Sequence, residues 1–166
     1  MFHTIDEFLF TWRYESESTL KVFRNLTDAS LAQAAVPGGR TLGRLAWHIT
    51  GTLAEMMGHA GLPVEGPTDA DPIPVAAAEI VRHYETGARK LAEAVSGRWT
   101  DAMLADKIPM YGEEWPRAGA LTALISHQIH HRGQMTVLMR QAGLKVPGVY
   151  GPAAEEWAAM NMPPQS

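Results

Sequence analysis

Four stretches of this chain repeat apolar residues every three or four positions, and prolines and glycines separate each stretch from the next. This pattern constrains the fold more than any other feature. A 3.6-residue period gathers the apolar side chains into one stripe on a helix, and that stripe must be buried against a neighbour. The first stretch, about His3 to Leu26, carries Ile5, Phe8, Leu9, Trp12, Leu20, Phe23 and Leu26. A link, "TDASLAQAAVPGGR", holds room for one short helical turn before Pro37-Gly38-Gly39. The second helix opens at Thr41, a good N-cap, and runs through Leu42, Leu45, Ile49, Leu53 and Met56 toward Gly61-Leu62-Pro63. "GLPVEGPTDADPIP" reads as a loop, and a third helix is expected from about Val75 to Ser96. The fourth begins near Pro116, follows Leu121, Leu124, Ile125, Gln128, Met135, Leu138 and Met139, and stops at Gly143, a suitable C′ glycine. Beyond it "LKVPGVYGPAAEEW" is expected to form a short C-terminal extension that ends in a helical turn.

Outside these helices no alternating Val/Ile/Thr run reaches five residues, so no sheet is expected. Four helices of roughly 20 residues define an all-α four-helix bundle. A chain of 166 residues fits one domain, 1–166. The formal net charge of −4, with no Lys/Arg cluster larger than a pair such as Arg89-Lys90, argues against nucleic acid or an anionic membrane surface as partner. No apolar run approaches the ~18 residues of a membrane span, and "MFHTIDEF" lacks a basic leader with an apolar core, so a cytoplasmic protein is expected. The absence of cysteine excludes disulfides, zinc–thiolate sites and a cysteine nucleophile.

The segment "ISHQIHHRGQM", Ile125 to Met135, places three histidines within five residues of the fourth helix. At about 100° per residue the apolar centre of that helix follows Leu121, Gln128, Met135 and Ala142. His131 falls about 50° from this line, inside the core stripe, and His127 about 90° away on the same side. His130 points about 150° away, to the far side. His127 and His131, one turn apart, can therefore share a ligand. Two histidines seldom hold a divalent ion, so a third ligand has to come from another helix. His48, on a polar-edged stripe of the second helix with Thr52, Glu55 and His59, sits at a comparable seam. The pattern is consistent with a three-histidine site at the bundle's edge with open positions. His3, His59 and His83 are read as ordinary half-buried residues.

Gly133, in mid-helix, costs about 1 kcal/mol relative to alanine and needs a reason. It lies on a small, uncharged face with Gly119, Ala123, Ser126, His130 and Val137, read as a second contact surface within the chain or across a two-fold axis.

"GRTLGRLAWHI" (Gly39 to Ile49), "SHQIHHRGQMTVLMRQAG" (Ser126 to Gly143), "PGVYG" (Pro147 to Gly151) and "LTDASL" resemble the DinB-like (DinB/YfiT-like) family of four-helix-bundle metalloproteins. The similarity spans essentially the whole chain, with the helix 4 motif its specific part. The resemblance implies an up-down-down-up bundle, frequently a homodimer, with a divalent metal held by His48, His127 and His131. It also brings in thiol-dependent S-transferases and a mycothiol-dependent maleylpyruvate isomerase as relatives in the wider superfamily.

Three neutral imidazoles suit Zn²⁺, Ni²⁺, Fe²⁺ or Cu²⁺ better than Mg²⁺ or Ca²⁺. Zinc or nickel is the expected ion, and a low-molecular-weight thiol a candidate cosubstrate, since the chain has no sulfur nucleophile of its own. Glu55 is a candidate base or ligand-orienting group, set against its reading as a solvated carboxylate, and Thr52 is expected to bond its own backbone. In "MYGEEWPRAG", Tyr111 and Trp115 can wall a pocket and Arg117 can meet an anionic substrate. The plainer and preferred reading is that Trp115 staples the start of helix 4. Two functions remain open: a metal-dependent transferase or hydrolase acting on a small molecule, and a non-catalytic metal-binding or stress-response bundle with a structural ion.

Overall fold

Thr4 opens the first helix with a reciprocal capping box. Its hydroxyl accepts from the Glu7 amide at 3.1 Å, and the Glu7 carboxylate accepts from the Thr4 amide at 3.3 Å. In this computed structural model, which describes residues 1–163, that helix is α1 (Ile5–Phe23). The last three residues of the expected single domain, 164–166, lie outside the described residues. The remaining main helices are α2 (Leu42–His59), α3 (Ala77–Arg98) and α4 (Arg117–Gln141), with a one-turn helix α5 (Ala154–Trp157) in the tail. Thr41 caps α2 as expected, accepting from the Arg44 amide at 3.1 Å.

The two helices that carry His48, His127 and His131 end alike. After α4 the Leu144 amide bonds the Met139 carbonyl and the Gly143 amide the Arg140 carbonyl, with Gly143 at φ 70°. After α2 the same pair of bonds runs from Leu62 to Met57 and from Gly61 to Gly58, with Gly61 at φ 75°. Both are Schellman endings, which need the left-handed conformation that glycine adopts without strain.

Two other boundaries differ from the sequence reading by a few residues. α1 stops at Phe23 because Asn25 and Leu26 tighten into i→i−3 bonds. α3 starts at Ala77, where its first amide donates to Asp28 Oδ1 at 2.8 Å. Asp28 belongs to the 3-10 turn Asp28–Ala32, the short turn expected in that link. A second 3-10 turn, Asp101–Ala105, lends Asp101 to the first amide of α1 at 2.7 Å. Each turn thus places a carboxylate at the positive end of a helix distant in sequence.

The side-chain pairings give the helix directions. α1 and α3 are antiparallel, with Ile5 against Asp101 and Arg24 against Glu85 at 3.3 Å. α2 and α3 run parallel: Trp47 packs on His83, and Leu53 packs beside Gly87. α2 and α4 are antiparallel, with His48 beside His127 and Glu55 reaching Tyr111 ahead of α4. The bundle is up-down-down-up, around a core that includes Phe8, Trp12, Phe23, Ile49, Leu53, Ile80, Leu91 and Leu121.

One expectation fails. A β-hairpin, β1 (Lys107–Met110) and β2 (Glu113–Pro116), precedes α4, with Ile108 opposite Trp115. Its two-residue turn has Tyr111 at φ 52° and Gly112 at φ 88°, the positive-φ pair of a tight hairpin. Strands of four residues, each containing a proline, fall below the length at which alternation can be read. In a two-stranded ribbon each proline can face away from the partner, which is why the ladder tolerates them.

The core is not wholly apolar. Arg132 and Glu15 are 3% and 5% exposed and meet at 2.5 Å. Arg132 also donates to the Glu15 carbonyl at 2.8 Å and to the Tyr150 hydroxyl at 2.6 Å. Breaking such a pair from one side leaves an uncompensated buried charge, at a cost of about 3–5 kcal/mol. Arg132→Leu is therefore expected to lower unfolding stability by about that amount. The double variant Glu15→Leu/Arg132→Leu should be clearly more stable than that single variant, a difference that denaturant melts of the three proteins measure directly.

Candidate metal centre

His127 and His131 project from consecutive turns of α4, and His48 reaches them from antiparallel α2. The His127 Nε2 lies 3.2 Å from His48 Nε2 and 3.1 Å from His131 Nε2. One ligand atom from each of the three falls within 4.8 Å of the others, the one such grouping among the described residues. His131 is buried and the other two are partly buried. His130 is exposed and bonds Gln134 Nε2 at 3.2 Å, outside the cluster, as the helical wheel implies.

The outer nitrogens fix the orientation of the rings. His48 Nδ1 lies 2.8 Å from Asp69 Oδ2, and His131 Nδ1 lies 2.7 Å from Gln134 Oε1. Neither oxygen can donate when Asp69 is ionised, so both rings carry their proton on Nδ1 and present a bare Nε2 lone pair inward. His127 Nε2 faces both lone pairs and can donate to only one of them. At least one close lone-pair contact remains, which a cation between the rings removes. A metal–nitrogen bond of ~2.0–2.1 Å puts adjacent ligand nitrogens about 2.9 Å apart at right angles and about 3.4 Å apart in a tetrahedron. The two separations from His127 Nε2 fall between those values. His127 Nδ1 is buried without a partner. Nitrogen spacing, tautomers and an all-imidazole donor set fit a divalent transition ion.

Asp69 and Gln134 were not singled out from the sequence. Asp69 lies in the Pro-rich loop, 21 positions from His48, where no spacing rule connects them. The loop is drawn onto α2 because Gly51 has no side chain: a Cβ there would meet the Pro67 carbonyl at 3.3 Å. Trp47 Nε1 donates to the Asp71 carbonyl at 3.2 Å, and Arg44 to the Asp69 carbonyl at 3.1 Å. Gln134, three residues beyond His131 on the same face, was accessible to an i,i+3 argument.

A cavity of about 670 Å³ opens beside the triad, bordered by His48, His127, Glu55, Asp69, Tyr111 and Trp115. Tyr111 and Trp115 thus wall a pocket, and Trp115 also packs its Cβ beside Gly119 at the start of α4. Glu55 accepts from the Tyr111 hydroxyl at 2.9 Å and pairs with His59 at 3.3 Å. Thr52 bonds the Ile49 carbonyl, as expected. Arg117 is turned elsewhere: it pairs with Asp106 at 2.7 Å and lies over Trp99.

Burial, reinforced by the neighbouring imidazoles, depresses the pKa of His127 to about 4 and lowers that of His131 as well. His127 and His131 are therefore neutral at ordinary pH, the form that ligates metal. The remainder of the small-residue helix face divides in two. Gly119 packs against Pro116, whereas a Cβ on Gly133 would meet nothing and Val137 is 55% exposed.

These features define a class, a helical bundle with a candidate three-histidine metal site at the rim of a cavity. Within that class the chain belongs to the DinB family, whose model matches residues 1–165. It is 43% identical over 162 residues to a Bacillus subtilis (strain 168) protein described as uncharacterized protein YrdA, covering 98% of this chain and 97% of that one. A crystal structure of a DinB-like protein from Bacillus cereus ATCC 10987 is 48% identical, with a TM-score of 0.87 over 90% of this chain and all of the other. The crystal structure of YjoA, a DinB-like protein from B. subtilis, shares the fold at 14% identity, with a TM-score of 0.64 over 82% of this chain and 92% of that one.

The depressed histidine pKa values have a defined consequence for stability. The unfolded chain takes up protons near the ordinary value of 6.5 while folded His127 resists until about pH 4. Metal-free protein should therefore lose stability as pH falls from about 6.5 toward 4 and keep it above that range. His127→Gln should flatten this dependence in thermal melts taken at stepped pH.

Proposed function

We propose that this chain is a metal-dependent enzyme acting on a small molecule, with a divalent ion, zinc or nickel, held by Nε2 of His48, His127 and His131. The observation that carries this reading is the convergence of three imidazoles at the rim of a cavity large enough for a small organic molecule. A structural ion calls for a closed protein shell, and among the described residues no fourth His, Asp or Glu joins the three. This favours an enzyme over the non-catalytic bundle with a structural ion.

A divalent ion so held supplies Lewis acidity, which polarises a carbonyl or stabilises a thiolate at neutral pH. The protein's own groups do the rest. Asp69 and Gln134 hold His48 and His131 in the ligating tautomer. Glu55 presents a carboxylate to the cavity, and the Tyr111 hydroxyl orients it. Burial and the adjacent Glu55 carboxylate push the Tyr111 pKa well above its ordinary value, so the phenol stays a donor. Thiol-dependent S-transfer and hydrolysis both suit this arrangement, and in the former a low-molecular-weight thiol supplies the sulfur that a cysteine-free chain lacks. The reading includes a homodimer, supported by the uncovered Gly133–Val137 face, and no helix among the described residues is long and apolar enough to cross a membrane.

Elemental analysis of tag-free protein tests the site: close to one equivalent of zinc or nickel in wild type and His130→Ala, and none in His131→Ala. Asp69→Asn should weaken metal affinity about 10- to 100-fold while retaining the fold. The absence of metal after reconstitution would remove the enzyme reading. Sedimentation equilibrium tests the dimer, with twice the chain mass expected for wild type and a shift toward single chains for Gly133→Arg.

A further inference from the structure

The cavity beside the histidines is asymmetric in charge. Its border holds two carboxylates, Glu55 and Asp69, and neither lysine nor arginine. Asp69 is committed to His48. Glu55 stands at the other end, seven residues along α2 and therefore about 10 Å from His48. It has lone pairs to spare, since a carboxylate accepts about four hydrogen bonds and the Tyr111 hydroxyl and His59 leave half the side chain exposed. The Tyr111 and Trp115 rings, 5.9 Å apart and edge to face, stand beside it.

The nearest cations do not offset this charge. Arg44 is bound to the Asp69 carbonyl, Arg117 to Asp106 and Trp99, and Arg40 borders a separate cleft with Gln134 and Leu138. An anionic group at the Glu55 end would meet a carboxylate with no lysine or arginine on the cavity border, and the His59 imidazole, 3.3 Å away, is already engaged with that carboxylate. An ammonium there gains a charge-assisted hydrogen bond and lies beside two electron-rich rings.

We propose that this cavity takes an elongated small molecule bearing a primary or secondary amine at the end remote from the histidines, held by Glu55 and faced by Tyr111 and Trp115. The proposal rests on the enzyme reading above only for the identity of the end that faces the histidines. The reacting group lies there, and the amine sets selectivity from about 10 Å away.

Titration calorimetry with 2-phenylethylamine, 3-phenylpropionate and 2-phenylethanol tests it, using both zinc-loaded and EDTA-stripped protein. In stripped protein the amine should bind about ten-fold or more tightly than the carboxylate, as a charge-assisted contact implies. Glu55→Gln should abolish that preference. Glu65→Gln, which removes the same charge from the Lys90 ion pair, should leave it intact. Equal or tighter binding of the carboxylate, no saturable binding of any probe, or a preference that survives Glu55→Gln would each overturn the proposal. Zinc content, read separately, decides the metal site: amine selectivity without zinc uptake would retain this inference and remove that one.

Discussion

The Arg132–Glu15 contact is the constraint on which the arrangement of the other elements depends. A buried charge is tolerated only when its partner and its hydrogen bonds are all supplied, and here they come from three parts of the chain. Glu15 and Thr19 belong to α1, Arg132 to α4 and Tyr150 to the tail. Tyr150 donates to the Glu15 carboxylate at 2.8 Å, and burial beside that carboxylate pushes its pKa up to about 12. One turn away, Gln128 accepts from Tyr84 of α3 at 2.5 Å and from Thr19 at 3.1 Å. The buried stripe of α4 is thus polar at its middle, from Gln128 to Arg132, and only one rotation and register of α4 against α1 and α3 satisfies it. That register also sets His131, the residue next to Arg132, against α2.

The candidate metal centre follows the opposite electrostatic rule. Arg132 has a carboxylate built against it, whereas His127 and His131 lie among apolar neighbours and other imidazoles and are held neutral. Two rings whose Nδ1 atoms are tied to Asp69 and Gln134 turn their Nε2 atoms on a third. The protein supports that close approach with helices already fixed by the buried pair. Cost and site are therefore placed on adjacent residues of one helix, with the charged partner facing α1 and the neutral candidate ligand facing α2.

This division explains which parts were legible in the sequence. The four helices follow from periodicity, and two of their caps from Thr41 and Gly143, because both kinds of signal are local. His48, His127 and His131 could be brought together because each sits on a regular helix whose wheel assigns it a face. Arg132 was not recognised as buried, although the same wheel puts it within the core stripe, because arginine is almost always exposed and its partner lies 117 positions away. Asp69 and the hairpin lie in segments whose conformation is set by what they pack against. Asp28 and Asp101 look like ordinary turn residues until the helices they cap are in place.

The hairpin shows how a locally unfavourable choice is sustained. Tyr111 occupies the left-handed region that glycine or asparagine would enter more cheaply, a conformation that costs a non-glycine residue about 1–3 kcal/mol. Its hydroxyl bond to Glu55 and its contacts with the rings of His59 and Trp115 offset that cost. Strain of this kind persists where surrounding contacts over-determine it, and all of these contacts lie along the cavity border or beside it. A turn built only to join two strands has no need of tyrosine at this position. A turn that must deliver a phenol to the carboxylate of α2 does, and the cavity is where the two meet.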